Sequence, residues 1–323
     1  MHKPVFIGVD IGGTNLRVAL VDTSGQILKT TRTRIRIDLG ARAASERVAA
    51  QCLKLARMSA SLGFDLKAIG LGVAGRVDKP SAGVIFSPNL PAMRNYPIGS
   101  ELRERTGFPV FIENDANCFG LGEHFAGAAR GLENWVGITL GTGTGGCLIL
   151  NGKLWEGDGL GFSAEIGHMI ILPDGPPCPC GSKGCLESFA SARALVRSAG
   201  ELIEDGGLTD APLVEAYRMG TLDAATVYES ALRGNAEAAA LFDKLGWALG
   251  LAIANLFSIL GIRHAIIGGG VSAGWDLFIG PLKASLSRNI SMLEPEKAVV
   301  IRSSLGDNAA LVGAARTAME NTI

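Results

Sequence analysis

Asp10-Ile11-Gly12-Gly13-Thr14-Asn15 lies between two β-branched runs, Val5–Asp10 (VFIGVD) and Asn15–Asp22 (NLRVALVD), and its reading decides the fold. Apolar β-branched residues bounded by turn residues predict strand, turn, strand. Within the turn a carboxylate stands at a strand end, two glycines free the backbone, and a hydroxyl and an amide follow. Such a turn can offer N–H groups to phosphate oxygens while Asp10 holds a magnesium ion through water. Taken alone, it is equally the turn of an ordinary hairpin, which also uses Asp and Gly.

Outward from this turn, a third strand-like run (QILKTTRTRI, from Gln26) completes a meander, and Ala43 to Leu62 has helix-forming composition. The strand KAIGLGVAG, a further helix and the strand PVFIEND follow, giving antiparallel hairpins and then parallel crossovers. The second half opens in the same way: NWVGITLG, a Thr/Gly turn, then GGCLILNGKLW. Architecture is therefore expected to be duplicated. Helical stretches between Ser191 and Leu260, the strand HAIIGGG, a helix, the strand KAVVIRS and a terminal helix from about Asn308 complete the chain. A helix near Cys118 to Asn134 is expected at the boundary between the halves.

Gly141-Thr142-Gly143-Thr144-Gly145-Gly146 satisfies the G-x-G-x-x-G spacing of dinucleotide-binding proteins. That fingerprint requires a helix directly after the glycines, whereas CLILNGKLW continues as a strand, so a Rossmann reading is disfavoured. Two strand-flanked Gly/Thr turns point instead to a pincer on nucleotide phosphates.

A chain of 323 residues with 47% hydrophobic content can supply two cores. Thirty Lys+Arg nearly cancel 31 Asp+Glu, so no whole-chain field draws nucleic acid or anionic membrane, and neither is expected as a partner. No secretory signal is read at the N-terminus and no stretch is read as a confident membrane span; the run Trp247 to Leu260 reads as a buried core helix. A cytoplasmic protein is expected. Three of the six cysteines, Cys178, Cys180 and Cys185, crowd into eight residues, which points to metal rather than disulfides. With His168 they offer one imidazole and three thiolates, a closed tetrahedral set suited to structural zinc.

The turns Asp10 to Asn15 and Gly141 to Gly146, with the segment Ile266 to Val271, resemble the two phosphate motifs and the adenosine motif of the sugar kinase, actin and heat-shock chaperone ATPase superfamily. Within it the chain resembles the ROK family of sugar kinases and repressors over essentially its full length; CPCGSKGC with the upstream Glu-x-Gly-His matches that family's signature. The resemblance implies an α/β, actin-like ATPase (ribonuclease H-like) duplicated fold, with two lobes and a central cleft. Residues 1–118 with 305–323 are expected to form the smaller lobe and 119–304 the larger, zinc-bearing one.

The resemblance also implies roles. Asp10, Gly12, Gly13, Thr14, Asn15, Thr142, Gly143 and Thr144 would handle the phosphates of ATP and its Mg2+, and Gly268, Gly269 and Gly270 would pass close to the adenosine. A base near the attacking hydroxyl is needed to phosphorylate an alcohol. Asp115, where PVFIE gives way to a helix, resembles the family's catalytic Asp, although Asn114 or Asp115 also suits a helix cap. Asn89, Asn114, Glu165, His168 and Glu187 match sugar-contacting positions, and Gly75 and Arg76 lie in a loop that lines the same pocket; Arg76 reads equally as a solvated charge. The implied activity is ATP-dependent phosphorylation of a hexose to its 6-phosphate by a homodimer. Glucose is the first expectation, with N-acetylglucosamine, N-acetylmannosamine or fructose as alternatives, and polyphosphate as an alternative donor. A ROK repressor is disfavoured because only nine residues precede Asp10, leaving no helix-turn-helix; a non-enzymatic actin-like ATPase would leave Glu165, His168 and Glu187 without a ligand.

Overall fold

The computed structural model describes residues 2–322. In chain order its elements are β1 (Lys3–Ile11), β2 (Asn15–Asp22), β3 (Ile27–Arg34), α1 (Ala41–Ser61), β4 (Phe64–Val73), β5 (Arg76–Asp78), β6 (Gly83–Phe86), α2 (Ile98–Thr106), β7 (Val110–Asn114) and α3 (Asp115–Ala126). There follow β8 (Trp135–Leu140), β9 (Thr144–Leu150), β10 (Lys153–Leu154), α4 (Ala192–Glu204), α5 (Ala211–Arg218), α6 (Ala224–Leu232), α7 (Ala236–Leu260), β11 (His264–Gly268), α8 (Trp275–Asn289), β12 (Val299–Arg302) and α9 (Ala309–Glu320).

One sheet runs β3-β2-β1-β4-β7 and another β10-β9-β8-β11-β12. Numbered within each sheet, both orders read 3-2-1-4-5, which is the duplication expected from the repeated strand, turn, strand. In the first sheet β1, β2 and β3 pair antiparallel, while β4 and β7 are parallel to β1. In the second, β9 and β10 pair antiparallel, and β11 is parallel to both β8 and β12. The chain divides into two compact units. One comprises the residues up to Glu133, Cys147–Ala164 and the residues from Ser303 onward; the other comprises Asn134–Gly146 and Glu165–Arg302. Helix α3 belongs to the first.

Side-chain alternation explains how the first sheet is buried on both faces. Val5, Ile7, Val9 and Ile11 of β1 join Val48, Cys52 and Leu55 of α1 in one core, whereas Phe6 joins Leu311 and Ala315 of α9 in another. Helix α9 approaches the sheet where Gly8 and Gly70 stand opposite each other in register. A Cβ on Gly8 would lie 2.0 Å from the Leu311 carbonyl oxygen, and one on Gly70 would lie 1.7 Å from that of Ala314. Gly70→Ala is therefore expected to destabilise the protein by about 1–3 kcal/mol through overpacking. Gly280→Ala, a helical position with nothing within 4 Å of the added methyl, is its control. Calorimetry should show a lowered melting temperature for the first variant only; equal melting temperatures would mean that α9 does not seat on this strand pair.

The helix expected over residues 118–134 begins earlier and is shorter, at Asp115–Ala126. Asn114 starts it by accepting the amides of Ala116 and Asn117. The apolar run ending at Leu260 forms the second half of α7, a helix of 25 residues long and apolar enough to cross a membrane. Its placement is that of the core helix expected from sequence. Cβ atoms on Gly246 and Gly250 would each lie 2.4 Å from α8 carbonyl oxygens, those of Phe278 and Leu282, so α7 packs directly on α8.

Candidate active site

The parallel strands of the first sheet align chemistry along one edge. Asp10, near the end of β1, pairs with Gly72 of β4, and Gly72 pairs with Glu113 of β7. With strands about 4.8 Å apart, the first Gly/Thr turn and the β7–α3 junction are two strand spacings apart at the carboxyl ends of β1 and β7, the edge at which α/β sheets bind ligands. Gly12 N–H donates to the Asn15 carbonyl at 3.0 Å, closing the turn. A Cβ on Gly13 would lie 3.1 Å from the Asn89 carbonyl oxygen, so the Asn89 segment runs against the turn; the Asn89 side chain is exposed.

Arg17, which the sequence reading did not single out, grips the Asp10 carboxylate. Its Nε and Nη2 donate to Asp10 Oδ2 at 2.9 and 2.5 Å, and its Nη1 donates to the Asp307 carbonyl at 2.6 Å. The hairpin register places Asp10 opposite Arg17.

At the β7–α3 junction Asn114 Oδ1 accepts Ala116 N–H at 2.8 Å and Asn117 N–H at 3.1 Å, while its Nδ2 donates to the Gly75 carbonyl at 3.0 Å. Asn114 is thus a helix cap as well as a candidate ligand. Asp115 is half-buried in the first helical turn, with Oδ1 3.0 Å from the Ala116 amide. Beneath them the buried Glu113 accepts from Asn114 N–H and Asn117 Nδ2, both at 2.9 Å, and pairs with Lys79. Lys79 also pairs with Glu156. Gly75, at φ +109°, has the Phe86 carbonyl 2.4 Å from where a Cβ would stand, so only glycine fits. Arg76 donates through Nε to the Leu160 carbonyl at 2.6 Å and lies over the Phe162 ring. These contacts account for its position without a ligand.

The second unit carries the remaining candidates. Gly141 N–H donates to Gly143 O at 2.9 Å, closing the second Gly/Thr turn. Glu187 Oε2 accepts Thr144 N–H at 2.8 Å, and a Cβ on Gly143 would lie 2.1 Å from that oxygen. Thr144 Oγ1 donates to the Ala190 carbonyl at 2.5 Å. Gly167 packs on Thr144 as well, its Cβ position 2.0 Å from the Thr144 carbonyl. The turn is thereby held by the two segments that bear Glu165, His168 and Glu187. The protein packed around the Glu165 carboxyl raises its pKa, which His168 partly opposes and Glu187 reinforces.

His168, Cys178, Cys180 and Cys185 bring their ligand atoms within 4.8 Å of one another. Cys180 Sγ and Cys185 Sγ are 3.7 Å apart, and His168 Nδ1 is 3.8 Å from Cys178 Sγ. A tetrahedron with metal–sulfur bonds of about 2.3 Å has edges of roughly 3.8 Å, so the set fits zinc. The Ser182 N–H holds the Cys180 thiol below its ordinary pKa, while burial pushes Cys178 up and Cys185 up to about 12.

A cavity of about 370 Å³ lies within the second unit. Gly141 and Thr142 of the turn line it, with Gly270 and Val271 beyond β11, Asp223 before α6, and the rings of Tyr228 and Phe242. Gly269, at φ +86°, has Leu140 backbone atoms within 2.5–2.8 Å of its Cβ position, which ties the glycine segment to the end of β8. Asp223, Tyr228 and Phe242 carried no motif signal; only the packing of α6 and α7 brings them to the turn.

Two sheets of one repeated order, each opening on a strand, a Gly/Thr turn and a strand, define an actin-like ATPase fold. Its more particular kinship follows from comparison: the model of the ROK family matches residues 6–321, and the chain belongs to that family. It is 37% identical over 320 residues to a glucokinase of Thermotoga maritima, covering 98% of this chain and 97% of that one. A glucokinase of Streptomyces coelicolor is 36% identical over 319 residues, 97% of each chain. The crystal structure of a ROK family glucokinase from Streptomyces griseus in complex with glucose and AMPPNP superposes with a TM-score of 0.84 at 36% identity, covering 98% of this chain and 99% of that one.

Proposed function

We infer that this protein is an ATP-dependent hexose kinase whose preferred acceptor is glucose. The observation that carries the reading is the shared sheet edge of the first unit, where a glycine turn beginning at Asp10 and a carboxylate at Asp115 end parallel strands of fixed register. Phosphoryl transfer to an alcohol needs these two elements. Similarity over nearly the whole chain to glucokinases, one of them solved with glucose and an ATP analogue, supports glucose as acceptor and ATP as donor.

In this reading Asp115 accepts the proton of the sugar 6-hydroxyl as its oxygen bonds to the γ-phosphorus and the bond to ADP breaks. Gly12, Gly13, Thr14 and Asn15 of the first turn, and Thr142, Gly143 and Thr144 of the second, take the phosphates, with Gly268, Gly269 and Gly270 beside the adenosine. Mg2+ would neutralise charge on the phosphates. Arg17 occupies Oδ2 of Asp10, so Oδ1 is the oxygen that suits a hydrated cation. By family resemblance Asn89, Asn114, Glu165, His168 and Glu187 are the candidates for contacts with sugar hydroxyls, with Gly75 and Arg76 as candidates for lining residues.

Zinc held by His168, Cys178, Cys180 and Cys185 would be structural, because four protein ligands leave no open position. Nδ1 is the ring nitrogen nearest the thiols, so Nε2 is the one free to meet a sugar hydroxyl. Family resemblance supports a cytoplasmic homodimer acting in glycolysis. A coupled ADP-release assay with ATP and magnesium against glucose, N-acetylglucosamine, N-acetylmannosamine, mannose and fructose tests the acceptor. The highest kcat/KM is expected with glucose; preference for an N-acetylated sugar would overturn the substrate while retaining the kinase.

A further inference from the structure

We propose that Asp223 reads the ribose hydroxyls of the nucleotide and makes the protein discriminate ribonucleotides from deoxyribonucleotides. The inference rests on the kinase reading above and adds a determinant that neither the motifs nor the family resemblance assigns.

The cavity is lined by Gly141 and Thr142 of the second Gly/Thr turn, which takes phosphates in the kinase reading, and by the rings of Tyr228 and Phe242. An adenosine laid from the turn into this space buries its base on the rings. Its ribose, next to the phosphates, then needs acceptors for two hydroxyl protons. Among the described residues that line the cavity, Asp223 supplies the sole carboxylate.

The geometry leaves its carboxylate suited to the task. Asp223 Oδ1 accepts Thr226 N–H at 2.8 Å and the Thr226 hydroxyl at 2.7 Å, capping α6 and fixing the carboxylate plane. These bonds use Oδ1 and the Ala225 N–H also meets the carboxylate, whose roughly four lone-pair positions still leave acceptor capacity for a ligand. The capping interactions also hold the group ionised by lowering its pKa, the Thr226 hydroxyl contributing most. An ionised acceptor bonds hydroxyls more strongly than a neutral one. A base stacked on aromatic rings carries no information about the sugar, so the preference for ribose falls to this side chain.

The test is calorimetric binding of ADP, 2′-deoxy-ADP and 3′-deoxy-ADP to the wild-type protein and to Asp223→Asn, with glucose turnover measured separately. Asparagine caps a helix as well as aspartate, so the fold and melting temperature are expected to persist. Asp223→Ser keeps the cap with a single oxygen and serves as the second variant. Wild-type protein should bind ADP about 10- to 100-fold more tightly than at least one deoxy analogue, the size of a hydrogen bond to a charged group. Both variants should bind all three within about threefold of one another by the same reasoning. Equal wild-type affinities, or a preference for ADP that survives in variants of unchanged melting temperature, would overturn the proposal. If ADP binds with the predicted preference but no sugar is phosphorylated, the kinase reading fails while Asp223 stands as the ribose determinant.

Discussion

Asp115→Asn is expected to lower kcat by about 10²–10⁴-fold, the usual contribution of a positioned general base, and to leave glucose affinity within a few-fold. The substitution preserves shape and one acceptor oxygen, so the contact between Oδ1 and the Ala116 amide can persist. Helix α3 is capped by Asn114 rather than by Asp115, so its start does not depend on the charge. What is lost is the capacity to take a proton. The change should therefore fall on kcat and not on binding, a split that a folding defect would not produce. Steady-state kinetics with calorimetric titration of glucose reads both quantities. Turnover at the wild-type rate would remove Asp115 from the role of base.

Cys180→Ser is expected to release bound zinc, lower the stability by more than the ~1 kcal/mol of a typical point substitution, with a matching fall in melting temperature, and raise the KM for glucose. Cys180 is exposed, so exchanging its sulfur for oxygen would cost little if the thiol were merely free. A large effect at such a position requires that the sulfur hold something. The effect should reach the sugar because Glu187 follows the candidate ligand Cys185 by two residues and His168 belongs to the same candidate set. Glu187 in turn accepts the Thr144 amide, so loosening the loop should also reach the second Gly/Thr turn. Elemental analysis, differential scanning calorimetry and glucose saturation curves measure the three consequences. No zinc in the wild type, with unchanged melting and kinetics in the variant, would reduce the cluster to free thiols.

The repeated strand, turn, strand was legible because β-branched runs and glycine turns are local signals. The repetition carried the architecture, since both sheets grow in the same order from such a hairpin. The cysteine cluster was legible for the same reason, its three thiols lying in one loop. Arg17 was missed although the signal existed: a hairpin closed at Ile11 and Leu16 must set Asp10 opposite Arg17.

Other features depend on packing that no local pattern encodes. The bond from Thr144 to Glu187 joins residues 43 apart. Asp223, Tyr228 and Phe242 meet the second turn only once α6 and α7 have docked. Gly8 and Gly70 lie inside stretches that read simply as strands, and nothing local marks them as the floor on which α9 rests. Asn114 was read as either a cap or a ligand; it caps α3, and Nδ2 still has a second hydrogen to offer a hydroxyl. Lys79 belongs to no motif in the sequence and is a partner of the buried Glu113 in the fold.

In the proposed reaction the γ-phosphoryl group of ATP passes to the 6-hydroxyl of glucose. Incubating the zinc-loaded protein with ATP, magnesium and glucose and following glucose 6-phosphate with glucose-6-phosphate dehydrogenase reads that product itself. NADPH formation that requires both ATP and glucose, and that disappears in Asp115→Asn, is the predicted result. Absence of glucose 6-phosphate from folded, zinc-loaded wild-type protein would contradict it.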